Sequence, residues 1–186
     1  MPSGNLTSNF SSATQISSGD ASWTNTGNAT VDDGAVAYVN IVSPTYTISN
    51  YLKVTDRIQK IPSGATVNGI IVNIQLTAIP QAYLSVVVCK GATLSSEVTE
   101  QVTLNNAFGN TTDLWGLSWT AADVNASDFG VQIRFSPSNF STVDVSVDYI
   151  DTTIFYTYTE TGDGTGRTTQ GRRAVFSTKT EMRVVS

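Results

Sequence analysis

Few side chains in this chain of 186 residues could carry out chemistry. It contains no histidine, and its single cysteine, Cys89, lies within the apolar run YLSVVVCK. No nucleophile elbow, phosphate-binding glycine–lysine loop or zinc-protease helix occurs in the sequence. Because most acid–base and nucleophilic mechanisms lack their usual residues here, the sequence predicts a protein that is not an enzyme and needs no cofactor.

Carboxylates are the exception, because a glycosidase needs only two of them. The candidates are Asp113, Asp123, Asp128, Asp144, Asp148 and Asp151. Each of these also has a simpler role as a cap, a turn residue or a solvent-facing strand residue, and we favour that role. The pairs Asp32–Asp33 and Asp148–Asp151 could offer oxygen ligands to Ca²⁺, but no loop with regular ligand spacing surrounds them, and no metal site is predicted.

Tryptophan is the residue that most suggests a binding surface. Trp115 and Trp119 lie close together in TDLWGLSWTAAD, and Trp23 stands near the start of the patterned region. Exposed indoles could stack on a sugar, which would make Trp115 and Trp119 ligand-binding residues. Buried indoles would instead pack a corner of a β-sandwich and bond through their N–H groups. We favour packing.

Charge divides the chain into an acidic body and a basic end. Residues 1–159 carry 5 basic and 12 acidic residues, and residues 160–186 carry 5 basic and 3 acidic ones. We expect this end to dock on an acidic neighbour and to add a strand to its sheet, contact with packaged nucleic acid being the alternative. The predicted partner-binding residues are Arg167, Arg172, Arg173, Val175, Phe176, Lys179 and Arg183. With a net charge of −5, the whole molecule offers nucleic acid no general attraction.

Alternating apolar residues predict the elements that would position these groups. Ile70, Val72, Ile74 and Leu76 share one face of a strand, and the inward residues of FGVQIRF are Phe129, Val131, Ile133 and Phe135. The last strand, 143–158, changes phase midway, which predicts a β-bulge near Tyr149 and Ile150. Thr120 and Asp123 have the spacing of a helix cap.

These patterns predict an all-β fold, an antiparallel jelly-roll-like β-sandwich of about eight strands. Residues 23–159 form the predicted sandwich. Residues 1–22 are polar and lack a period, so we expect an extended N-terminal arm, and residues 160–186 form the predicted basic C-terminal arm. The N-terminus has no apolar stretch of signal-peptide length, and no segment approaches the roughly 20 apolar residues that span a bilayer, so synthesis in a cytosol and no membrane association are expected.

Four segments resemble, in order, a β-sandwich module of structural proteins of tailed bacteriophages. They are WTNTGNATVDDGAVAYVNI, NYLKVTDRIQKIPSGATVNGIIVNIQ, TDLWGLSWTAADVNASDFGVQIRF and VDVSVDYIDTTIFYTY, and together they run from Trp23 to Tyr158. The resemblance implies a virion component with an assembly role, and it brings no catalytic residues.

Two functions fit this resemblance. The first is a capsid decoration or cement subunit that locks neighbouring subunits through its arms, as a homo-oligomer such as a trimer. Its partners would be the major capsid protein or tail proteins. The alternative is a carbohydrate-recognising receptor-binding domain of a tail or fibre. The sequence does not discriminate a head from a tail location.

Overall fold

The computed structural model describes residues 1–42, 47–103, 105–139 and 141–159. This part of the chain contains ten β-strands, one short α-helix and one turn of 3-10 helix at Thr26–Thr30. The strands are β1 (Ser3–Ile16), β2 (Ala37–Ile41), β3 (Tyr51–Arg57), β4 (Thr66–Leu76), β5 (Ala82–Lys90), β6 (Thr93–Leu94), β7 (Val98–Gln101), β8 (Asn105–Gly109), β9 (Phe129–Pro137) and β10 (Val143–Thr157), and the helix is α1 (Ala121–Asn125).

The strands form two antiparallel sheets that share β1. In the first, sheet A, β10 lies between β4 on one side and β1 and β2 on the other, and β8 pairs with β4. In the second, sheet B, the order is β1, β3, β9 and β5, and both β6 and β7 pair with β5. The predicted all-β sandwich is therefore confirmed, with ten strands instead of about eight.

The prediction of an N-terminal arm is wrong for most of residues 1–22. Residues 3–9 pair with β10 in sheet A, and residues 10–16 pair with β3 in sheet B, so β1 joins the two sheets. Leu6, Ser8 and Phe10 point inward in the first half, whereas Ala13 and Gln15 do so in the second. This phase change, together with the serine at a buried position, hides the two-residue period of a strand in the sequence. The domain therefore begins at β1 and not at Trp23.

The core between the sheets is built from the alternating residues. The four inward residues of β4 are at most 2 % exposed, and those of β9 are fully buried, as predicted. The register of β10 against β4 shifts between Val147 and Tyr149, which confirms the predicted bulge. The bulge turns Ile150 and Ile154 into the core after Val147, so both halves of the longest strand contribute to it.

Candidate functional site

The three tryptophans lie in the core. Trp23, Trp115 and Trp119 are 6 %, 4 % and 7 % exposed, and the indole N–H of each donates to a backbone carbonyl oxygen at 2.8–3.0 Å. Neither Trp115 nor Trp119 presents a ring face to solvent on which a sugar could stack. The structure places both residues in the packing role that we favoured from the sequence.

Trp115 is held in a tight turn across the end of β4. Trp115 and Gly116 have φ values of 55° and 70°, and the Leu117 N–H donates to the Leu114 carbonyl oxygen at 3.0 Å. The Trp115 N–H donates to the Asp113 carboxylate at 2.7 Å, while the indole N–H reaches the Ile70 carbonyl oxygen at 3.0 Å. A left-handed backbone is uncommon for so bulky a residue, so these two bonds and burial of the ring must offset its cost.

Trp119 anchors the segment that leads into β9. Its ring packs edge-on against Phe129 at a centroid distance of 5.5 Å. Just after it, the Thr120 hydroxyl accepts from the Asp123 N–H, and the Asp123 carboxylate accepts from the Thr120 N–H at 2.8 Å, which confirms the predicted capping of α1. Lys90 also contacts Asp123 at 3.2 Å. This aspartate therefore has a structural role.

The other candidate aspartates lie at several separate places in the described part of the chain. Asp144 accepts from the Tyr38 hydroxyl and from the Asn40 side chain, and Asp128 lies near Gly91 at the end of β5. Asp148 and Asp151 lie on β10, each 5 % exposed. Among the described residues, no three acidic, cysteine or histidine side chains are grouped so that they could hold a metal ion.

The predicted partner-binding residues lie outside the described residues. Arg167, Arg172, Arg173, Val175, Phe176, Lys179 and Arg183 all belong to residues 160–186. The docking interpretation of this basic segment therefore stays a prediction.

A buried arginine was missed in the sequence. Arg57 is fully buried at the end of β3, where its guanidinium donates to the Thr152 hydroxyl at 2.9 Å and to the Leu6 carbonyl oxygen at 2.8 Å. Burial lowers its pKa to about 10, and the nearby Asp151 opposes this shift. The sequence gives no signal for this burial: Asp56 has a φ of 61°, which breaks the alternation after Val54 and turns Arg57 inward. Arg57 thus ties β3 to β1 and β10, at the point where the two sheets meet.

The outward face of sheet A carries polar side chains in register across its strands. Asn9, Asp151, Asn73 and Ala107 form one row across β1, β10, β4 and β8. The Asn73 amide donates to Asp151 at 2.6 Å. Tyr149 lies at the bulge beside this row. Burial and the neighbouring Asp151 raise its pKa to about 12.

Two clefts flank the Tyr149 ring on this face. One, of about 230 Å³, is lined by Asn9, Asp32, Gln59 and Asp151 among others, and the second, of about 220 Å³, by residues of β4 and β8. Tyr149 lines both clefts, so they are adjacent. Sequence analysis did not single out Tyr149 as a site residue, because only strand pairing brings these side chains together.

The outward face of sheet B has a different character. Arg134 makes a two-pronged ion pair with Glu97 at 2.8 and 2.9 Å, and its guanidinium lies 4.7 Å from the Tyr51 ring centroid. The Tyr51 hydroxyl donates to Glu97. Burial and the bond to Glu97 raise the pKa of Tyr51 to about 12. These three residues contact one another, although the buried Nε of Arg134 has no hydrogen-bond partner among the described residues.

Comparison with known proteins gives little. No protein-family model matches this chain, and no curated protein matches it. A solved structure of a family two carbohydrate esterase from Cellvibrio japonicus aligns with it at 7 % sequence identity and a TM-score of 0.32. The alignment covers 84 % of this chain and 35 % of the esterase chain, so this chain spans about a third of that protein's length. A TM-score this low carries no functional inference.

In residues 1–42, 47–103, 105–139 and 141–159, no helix is long and apolar enough to cross a bilayer.

Proposed function

We propose that this chain is a structural subunit of a bacteriophage virion, a capsid decoration or cement protein made in the cytoplasm of the host. It acts as a homo-oligomer, such as a trimer, and its basic C-terminal segment docks on neighbouring capsid or tail subunits. Two of the candidate carboxylates have structural roles: Asp113 accepts from the Trp115 N–H, and Asp123 caps α1. These roles favour an assembly function over catalysis.

The observation that carries the proposal is that residues of the phage-like segments pack and cap the fold. The tryptophans of the first and third phage-like segments fill the core, and the capping residues Thr120 and Asp123 redirect the chain into β9. In the second segment, Gly69 lies against the backbone of Thr111, where a Cβ atom would come within 2.3 Å of the Thr111 carbonyl carbon. The resemblance therefore rests on residues that define a rigid scaffold.

Charge supports the docking part of the proposal. The body of the chain carries 12 acidic and 5 basic residues, whereas residues 160–186 carry 3 acidic and 5 basic ones. A basic segment of one copy is attracted to the acidic body of the next, and many such weak contacts add up in a shell through effective concentration.

The alternative, a glycan-binding tail domain that uses Trp115 and Trp119, is not favoured. Both rings are buried, and both indole N–H groups already have acceptors. Exposure of either ring would require opening the turn that crosses the end of β4.

The experiment replaces arginines of the C-terminal segment in the full-length chain. We expect Arg167→Gln combined with Arg172→Gln and Arg173→Gln to leave the melting temperature unchanged and to reduce incorporation into particles in a complementation assay. Lys53→Gln with Lys60→Gln is the control, to be compared with the double variant Arg172→Gln and Arg173→Gln, because these lysines lie on the body and not on the segment. Equal incorporation of both variants would contradict the docking role.

A further inference from the structure

The groove around Tyr149 on sheet A has the properties of a ligand site. We call it the Tyr149 groove; it comprises the two clefts that share the Tyr149 ring, with Asn9 and Asp151 on one side and Asn73 and Gln75 on the other. The ring is half-buried and stands at the β10 bulge, where the strand bends and re-aims its side chains. An aromatic ring thus lies beside a row of hydrogen-bonding groups.

Two polar side chains of the groove, Asn73 and Asn9, are held by hydrogen bonds within the protein. The Asn73 amide donates to Asp151 at 2.6 Å, and the Asn9 amide donates to the Thr30 carbonyl oxygen at 2.7 Å. Backbone pairing with the neighbouring strands also fixes the positions of β1, β10 and β4. A ligand that binds these side chains in their present conformations would lose little binding free energy to side-chain ordering.

The charge of the groove argues for a neutral ligand. The basic residues of the described chain are Lys53, Arg57, Lys60, Lys90 and Arg134, and none of them lines either cleft, so the groove offers nothing to a phosphate or another anion.

The carboxylates offer little to a cation. Asp148 and Asp151 are each 5 % exposed and already accept hydrogen bonds from Gly34 and Asn73, and the buried Arg57 lies near Asp151. Asp32 is the exposed carboxylate of the groove, and among the described residues it forms no group of three ligating side chains that could hold a metal ion. Besides this carboxylate, the groove presents amides, a hydroxyl and an aromatic face to solvent.

We propose that the Tyr149 groove binds a neutral oligosaccharide. Asn73, Gln75 and Asn9 would hydrogen-bond vicinal hydroxyls, and the Tyr149 ring would pack against the apolar face of a sugar. Neighbouring strands lie about 4.8 Å apart, close to the length of one sugar unit, so the row of side chains across β1, β10 and β4 can follow successive residues of an extended chain. This inference does not depend on the virion assignment, and its residues differ from the buried Trp115 and Trp119.

The test uses the full-length protein and a panel of neutral hexasaccharides, made of cello-, xylo-, manno- and malto-oligosaccharides and their N-acetylglucosamine counterpart. Binding is measured by isothermal titration calorimetry and by amide chemical-shift changes. We expect at least one sugar to bind and to shift resonances of β10 and β4. Tyr149→Ala should weaken that binding at least about tenfold, which corresponds to about 1.4 kcal/mol.

The controls separate binding from folding. Tyr83→Ala removes another tyrosine, which is 44 % exposed on β5 of sheet B, and should leave sugar affinity within about twofold. Gln75→Ala should weaken binding while its melting temperature stays close to that of Tyr83→Ala, because the Gln75 amide makes only a long contact of 3.5 Å with Asp148. If Tyr149→Ala proves unstable, Gln75→Ala still decides the question.

Three outcomes would overturn the proposal. One is failure of every hexasaccharide to bind, and another is binding that Tyr149→Ala leaves unchanged. The third is a synthetic peptide of residues 160–186 that shifts the groove resonances while the sugars do not, which would assign the groove to the basic segment instead.

Discussion

Replacement of Trp115 by alanine tests whether the tryptophan segment is a structural corner. In the structure the Trp115 ring is 4 % exposed, its N–H bonds the Ile70 carbonyl oxygen, and it covers Gly109, where a Cβ atom would lie 3.0 Å from the indole nitrogen. A binding residue on the surface would show neither burial nor an internal bond of this kind.

The magnitude follows from what the substitution removes. Truncation of a buried tryptophan to alanine costs about 3–5 kcal/mol from lost burial and from the cavity that remains. Loss of a hydrogen bond to a buried carbonyl oxygen, by itself, costs about 1–3 kcal/mol. Because the first range already includes such losses in part, we expect Trp115→Ala to lower the free energy of unfolding by about 4 kcal/mol. Trp115→Phe keeps most of the ring and should cost about 2 kcal/mol.

The assay is urea unfolding monitored by far-ultraviolet circular dichroism. Tryptophan fluorescence is less suitable, because the substitution removes one of the three fluorescent tryptophans. Tyr83→Ala is the control, because its side chain is 44 % exposed and should change stability by less than about 0.5 kcal/mol. A Trp115→Ala variant within about 1 kcal/mol of the parent would refute the corner interpretation.

Three further predictions concern the scaffold. Phe10→Ala should lower the free energy of unfolding by about 3–5 kcal/mol, because the ring is 1 % exposed and packs in the core; a mobile N-terminal arm would give no change. Gly69→Ala should cost about 3 kcal/mol, because its Cβ atom would clash with backbone at 2.3 Å, whereas Gly27→Ala, with no atom within 4 Å, should be tolerated; equal melting temperatures would contradict this. The pKa values of Tyr51 and Tyr149 are raised to about 12 from 10.0, so their contribution to stability is complete below pH 10 and is lost as the pH rises toward 12; an ultraviolet titration in which all tyrosines ionise near pH 10 would disprove it.

Strands β4 and β9 could be predicted because their period is local. Burial of one face of β4 and β9 requires every second residue to be apolar, and that pattern is visible in a short window of sequence. The β10 bulge was predictable for the same reason, since a one-residue insertion reverses the apolar phase from Val147 to Ile150. The cap of α1 was also predictable, because Thr120 and Asp123 are only three residues apart.

Features that depend on distant partners could not be predicted. β1 was missed because it changes sheets near Phe10 and buries Ser8, so its apolar residues follow no single period. Arg57 was missed because a left-handed residue before it turns a charged side chain into the core. The Tyr149 groove exists only after β4 and β10 pair, and neither strand shows it alone.

The most direct test of the proposed virion role is mass spectrometry of phage particles purified from the source of this chain, after separation of heads from tails. We expect the protein in the head fraction, in a fixed ratio to the major capsid protein. Its absence from both fractions, while it accumulates free in the infected cell, would contradict the assignment as a virion subunit.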